Sequence, residues 1–156
     1  IFSTDALARM NEVELSSELI IVMLKGISEK QDKLISGIYR QYDTDFEQGP
    51  EVSRRFRTIF DTIGNMFSKS VGVAFKKRTM FYALFSALYD VQYGLGTELT
   101  KKKVSPRPIS SQAVRKIEAT GFNVMEGNAP AKVLDATTRR TTHVKERKNL
   151  VEYLLA

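Results

Sequence analysis

Between Arg78 and Val91 the chain reads RTMFYALFSALYDV, and after the arginine almost every position is apolar, aromatic or small. A helix that is greasy all round has no face to offer water, so neighbours must cover it on several sides. This one segment therefore calls for a helical bundle with itself at the centre. The rest of the sequence has to supply the cover.

The cover is legible as further helices. Thr4 and Asp5 suit the start of a short first helix. NEVELSSELIIVMLKG predicts a helix from about Asn11 to Lys25, with Glu12, Glu14 and Glu18 toward its positive end and Gly26 as its stop. Ser28-Glu29-Lys30-Gln31 has capping-box spacing and opens a helix to about Tyr42, with Leu34, Ile35 and Ile38 on one face. Pro50 sits where a helix can start. Val52, Phe56, Ile59, Phe60, Ile63, Met66 and Phe67 then recur at spacings of three and four, the clearest amphipathic pattern in the chain. Arg54, Arg55 and Arg57 are expected mostly on its other side. Tyr82, Tyr89 and Tyr93 share helical spacing and are expected to pack with their hydroxyls at the edge.

GLGTELTKKKVSPRPIS breaks the pattern with two glycines, two prolines and three consecutive lysines. Pro106 and Pro108 make it extended. A linker is therefore expected over 94–110, between 1–93 and a smaller basic helical part over 111–156. Three shorter helices are expected near 111–120, 130–139 and 143–155, with Gly121 and Gly127 punctuating the first gap. VGVAF is the one short piece that could be extended. The expected fold is all-α: a single irregular helical bundle of about seven helices over 1–156, with a central, fully apolar helix at 79–93 covered by those at 11–25 and 50–67.

The chain has 156 residues, enough for one domain with a proper core. It has no cysteine, which excludes disulfides and thiolate chemistry and fits a cytoplasmic protein. The longest apolar run, LIIVML, is far too short to span a bilayer, so no membrane is expected. The chain opens on IFSTDALARM without a methionine, and a fragment of a longer protein is expected.

Catalytic templates fail in turn. No phosphate-binding loop is present, and Gly94-Leu95-Gly96 is too short to count as one. His143 is the only histidine, so a metal site built from several histidines or cysteines is impossible. Asp43, Asp45 and Glu47 alternate as calcium ligands do. Gly49 is one place too late, however, and Arg54 stands where the last glutamate should be. Those acids read better as a solvated connection. The chain is accordingly expected to be no enzyme by itself, with no catalytic residue, cofactor or metal.

What remains is charge. The net charge is +6; residues 1–96 carry 12 basic and 12 acidic side chains, and residues 97–156 carry 12 and 6. A polyanion partner would account for a basic last third. Within it, DATTRRTTHVKERKNLVEYLL is the most suggestive stretch. Guanidinium forks, hydroxyls and the free amides of a helix start are groups that hold phosphate oxygens. Thr142 is a natural N-cap, and Val144, Val151, Leu154 and Leu155 supply a core stripe. Arg139 and Arg140 before that cap are left without a structural reason. The residues expected to contact nucleic-acid backbone are Arg139, Arg140, Lys145 and Arg147, with Lys101, Lys102 and Lys103 of the linker. A second basic feature, Phe75-Lys76-Lys77-Arg78-Thr79, sets three cations against the dipole of the helix it precedes, which is locally unfavourable and hints at an anionic partner.

ELSSELIIVMLKGISEKQDKLISGIYRQYDTDFE, RRFRTIFDTIGNMF, FKKRTMFYALFSALYDVQYG and the closing ATTRRTTHVKERKNLVEYLL together resemble the helical region of the ParB-like-domain family of GmrSD-type prokaryotic restriction and phage-defence proteins, a domain of unknown function. The resemblance covers most of the chain, least between 94 and 130. It implies a protein that acts on DNA, with nucleotide hydrolysis in a ParB-like catalytic part of the same protein. The DGQQR-type motif of that part is missing here, and one histidine cannot supply the family's His-Asn-His nuclease, so no catalytic residue carries over. Two readings stay open. The chain is expected to be a non-catalytic module contacting DNA backbone, or alternatively a scaffold docking a catalytic domain or subunit with no nucleic-acid contact.

Overall fold

The computed structural model describes residues 4–29, 36–37, 40 and 46–156. Among them are seven helices and no strand: α1 (Thr4–Lys25), α2 (Gly49–Met66), α3 (Ser68–Val71), α4 (Arg78–Gln92), α5 (Ser111–Met125), α6 (Ala131–Thr138) and α7 (Val144–Leu155). The all-α expectation holds, and α4 is the buried helix the sequence demanded. The helix expected to run from Ser28 to Tyr42, and the alternating acids Asp43 and Asp45, lie largely outside the described residues.

α4 is buried on every side from Tyr82 to Tyr89. Leu84, Phe85 and Leu88 have no exposed surface, and burial of such side chains stabilises by about 1.5–3 kcal/mol each. Ser86 is admitted to this core because its hydroxyl donates to the Tyr82 carbonyl at 2.8 Å. α7 packs most extensively on α4, followed by α1 and then α2. The last helix is thus the main cover of the central one, beyond the two helices expected in that role. One cluster of buried side chains runs from Leu19 through α2 and α4 to Leu154, on both sides of segment 94–110.

Several boundaries move, each for a local reason. α1 is one continuous helix, not two, and Gly26 ends it at φ 84 with its amide on the Val22 carbonyl. The VGVAF stretch forms no strand; it turns after α3, with the Ala74 amide on the Ser70 carbonyl. α5 runs through Gly121 to Met125. That glycine is not a stop. A Cβ there would lie 2.4 Å from Cζ of Phe75, so the residue is small because a buried aromatic ring rests on the helix backbone.

Candidate functional site

Two buried ion clusters lie toward opposite ends of α4. At its C-terminal end, Glu51 and Arg55 come from the first turns of α2 and are 1% and 3% exposed. Arg55 was expected on the polar side of α2; instead its Nε donates to Glu51 Oε2 at 2.8 Å and its Nη1 to the Tyr89 hydroxyl at 2.8 Å. Its guanidinium also lies 4.8 Å from the Tyr93 ring centroid. Arg54 Nε donates to the other Glu51 oxygen at 2.9 Å, and the Val104 amide donates to Oε2 at 3.1 Å. Burial alone would raise the Glu51 carboxyl, but the bonds from Arg55, Val104 and Arg54 outweigh it and hold the group below its ordinary value. The same carboxylate fastens segment 94–110 to α2. Lys101, Lys102 and Lys103 are exposed on that segment, just before the fastened amide.

At the N-terminal end of α4 the centre is Arg147. It was expected to face nucleic acid, and the structure corrects that: it is 6% exposed and committed inside the protein. Its Nη2 donates to both oxygens of Glu18 at 3.2 Å, its Nη1 to the Ser28 carbonyl at 2.8 Å and its Nε to the Thr141 carbonyl at 3.3 Å. Its guanidinium lies 4.0 Å from the Tyr82 ring centroid. Burial, the largest influence, raises the Tyr82 hydroxyl above its ordinary value. Tyr82, Tyr89 and Tyr93 are all buried, and the Tyr89 hydroxyl, bonded to Arg55, lies inside the protein rather than at its edge.

Arg78, the first residue of α4, completes this end with looser contacts. Its Nη1 reaches Glu14 at 3.4 Å. Its Nη2 lies 3.4 Å from Glu18 Oε2 but makes no hydrogen bond, although the atom is buried. A pocket of about 210 Å³ opens beside it, lined by Glu18, Arg78, Thr79, Tyr82, Thr141, Thr142 and Arg147.

A larger groove of about 730 Å³ borders the same end. Val73, Met80, Val124, Met125 and Leu134 give it an apolar lining, and Lys76, Lys77, Thr137 and Thr138 line it as well, together with one carboxylate, Asp135. Lys76 and Lys77 before α4 thus share one groove with Thr137 and Thr138 at the end of α6, while Arg139, Arg140 and Lys145 are not among its lining residues. Arg139 and Arg140 follow Thr138 directly, and both are exposed, as is Lys145 in the first turn of α7. Arg140 holds φ 49, a left-handed conformation that is costly for a residue with a side chain. The N-cap of α7 is His143 rather than Thr142, and it makes no side-chain cap bond.

Lys101, Lys102 and Lys103 do not join this group. They belong to the Glu51 end, and α4, with 15 residues, separates the two ends by roughly 20 Å. Among the described residues no group of three or more His, Asp or Glu side chains is placed to hold a metal ion, and no helix is long and apolar enough to cross a membrane.

Glu18, Arg55 and Arg147 share a signal that was present in the sequence. Glu18 falls on the stripe Leu15, Leu19, Val22; Arg55 on Val52, Ile59, Ile63; Arg147 on Leu150, Val151, Leu154. A charged residue at an apolar position of an amphipathic helix is brought into the core by its neighbours, and then requires a partner there.

Comparison with protein-family models, with curated proteins and with solved structures gives no match to this chain. The resemblance to the ParB-like-domain family therefore stands on the residues quoted above alone.

Proposed function

We propose that this chain is a non-catalytic helical module that contacts nucleic-acid backbone through the end of the bundle where α4 begins. The contact side chains are Lys76, Lys77, Arg139, Arg140 and Lys145. Arg147 acts only by holding the α6–α7 turn in place, through its bond to the Thr141 carbonyl. Lys101, Lys102 and Lys103 lie outside the contact. The observation that carries this reading is the convergence of Lys76 and Lys77 with Thr137 and Thr138 on one groove, next to two exposed arginines. Exposed cations with no bonded partner among the described residues are what counterion release from a phosphate backbone requires. The choice of DNA, and of a ParB-like catalytic domain as neighbour in the same protein, rests on the family resemblance.

The scaffold reading is favoured by a different observation. Val73 and Met125, 48% and 47% exposed, both line the groove, and an apolar floor is of no use to a phosphate. Fluorescence anisotropy with a labelled duplex at about 50 and 200 mM salt separates the two. With four or five phosphate contacts, affinity falls roughly a hundredfold or more across that range. No binding at the lower salt would transfer the basic end to a protein partner.

A further inference from the structure

The larger groove beside the start of α4 has a lining that a phosphate contact leaves unused. Three separate pieces of chain build it: the turn after α3 with the first residues of α4, the C-terminal end of α5, and α6. On α6 the lining residues Leu134, Asp135, Thr137 and Thr138 recur at the spacing of one helix face. Met80 and Val124 are buried where they line the groove, whereas Val73 and Met125 are about half exposed and leave apolar surface in water. Large apolar side chains exposed singly need no explanation, but two that share a groove with an apolar floor mark an interaction site. The volume, about 730 Å³, falls within the range of roughly 300 to 1,000 Å³ typical of binding pockets.

The lining chooses among occupants. No aromatic side chain is part of it, so an unpaired base would find no ring to stack on. Aliphatic side chains suit it better, and Met80 and Met125 supply the adaptable thioethers common at peptide-binding surfaces. α6 has eight residues and is about 12 Å long. Residues i and i+7 of a bound helix are about 10.5 Å apart, so a helix laid along α6 keeps its i, i+3, i+4 and i+7 anchors over the groove. Charge selects the flank of that helix. Lys76 and Lys77 are exposed beside α4, and neither ammonium is bonded to a described residue. The single lining carboxylate, Asp135, stands on α6, where the exposed Arg139 and Arg140 follow the lining Thr138. Carboxylates on a partner are attracted to such a rim, and a basic partner is repelled.

From this we infer that the groove seats an amphipathic helical segment of a partner protein, its aliphatic side chains on the apolar lining and its carboxylates toward Lys76 and Lys77. This seat is independent of the nucleic-acid contact proposed above; where both hold, helix and phosphates compete for the same two lysines. The test titrates the whole chain with two fluorescein-labelled synthetic peptides that share leucines at i, i+3, i+4 and i+7, one flanked by glutamates and the other by lysines. The glutamate peptide is expected to bind about tenfold more tightly, and Lys76→Glu/Lys77→Glu should reverse the order. Met125→Asp should weaken the glutamate peptide about tenfold or more while melting as the wild type does, because that side chain is exposed. In methyl NMR the Met80 and Met125 signals should shift on binding, and that of Met23, buried in the core, should stay. Equal affinity for the two peptides, or an order unchanged by the lysine swap, overturns the acidic partner. Failure of both to bind, or binding that Met125→Asp leaves unchanged, overturns the groove. Self-association of the chain alone, abolished by Met125→Asp, would make a second copy the occupant instead. A duplex oligonucleotide that moves the Met125 signal as the glutamate peptide does would give the groove to nucleic acid.

Discussion

The two ends of α4 are made from the same materials: a carboxylate on one helix, a guanidinium seated in the core, and a tyrosine of α4 beside it. At the Glu51 end the bonds from Arg55, Arg54 and the Val104 amide span 2.8 to 3.1 Å. At the Glu18 end the carboxylate contacts span 3.2 to 3.4 Å, and a buried nitrogen of Arg78 is left without a bond beside a cavity. The difference teaches that a buried ion pair by itself says little about function. The closed cluster is a fastening for segment 94–110. The other is more loosely closed, and it lies at the end of α4 that Lys76 and Lys77 precede.

The largest expected effect lies at the closed end. Glu51→Ala strands Arg55 in the core and releases the Val104 amide, and losing one partner of a buried pair costs about 3–5 kcal/mol. Urea unfolding measures this. A loss under about 1 kcal/mol would mean that the cluster is looser than its distances and erase the contrast between the ends.

The same carboxylate gives a pH dependence. Because its folded value lies below the ordinary 4.5, its contribution is present above pH 4.5 and is lost as pH falls through the lower folded value. Stability should therefore fall with acidification in that window, and Glu51→Gln should flatten the fall. An equally steep acid limb in the variant would assign the effect to other carboxylates.

Arg78→Ala should cost only about 1 kcal/mol, since its contacts are 3.4 Å long and a third of its side chain is exposed. A cost as large as that of Glu51→Ala would show the open end to be as structural as the closed one. Smallest of all is Arg140→Gly. Glycine adopts φ 49 without strain, so the relief should offset its added chain entropy to within about 1 kcal/mol, while duplex binding weakens. Unchanged binding would take Arg140 out of the contact.

Much of the fold was legible because α4 admits one solution: TMFYALFSALYDV needs cover on all sides, and the stripes of α1, α2 and α7 provide it. Arg139 and Arg140, for which the sequence offers no structural reason, are exposed in the structure. Arg147 was not distinguished from them, because reading it as surface ignored its place on the stripe with Leu150, Val151 and Leu154. Its partner was beyond reach. Glu18 lies 129 residues away, and nothing local links the two. Gly121 reads as a stop in the sequence because its reason, the Phe75 ring, exists only once the chain has folded. Lys76 and Lys77 were marked as unfavourably placed at a helix start, yet only the packed structure sets them in the groove with Thr137 and Thr138.

The most direct test of the central claim compares the two ends as DNA contacts. Duplex anisotropy across a salt series would be measured for the wild type, for Arg139→Ala/Arg140→Ala, and for Lys101→Ala/Lys102→Ala/Lys103→Ala. The account predicts that the arginine variant weakens binding and lowers the salt slope by about two, while the lysine variant leaves both nearly unchanged. Loss of binding in the lysine variant alone, or no salt-dependent binding by the wild type, would contradict it.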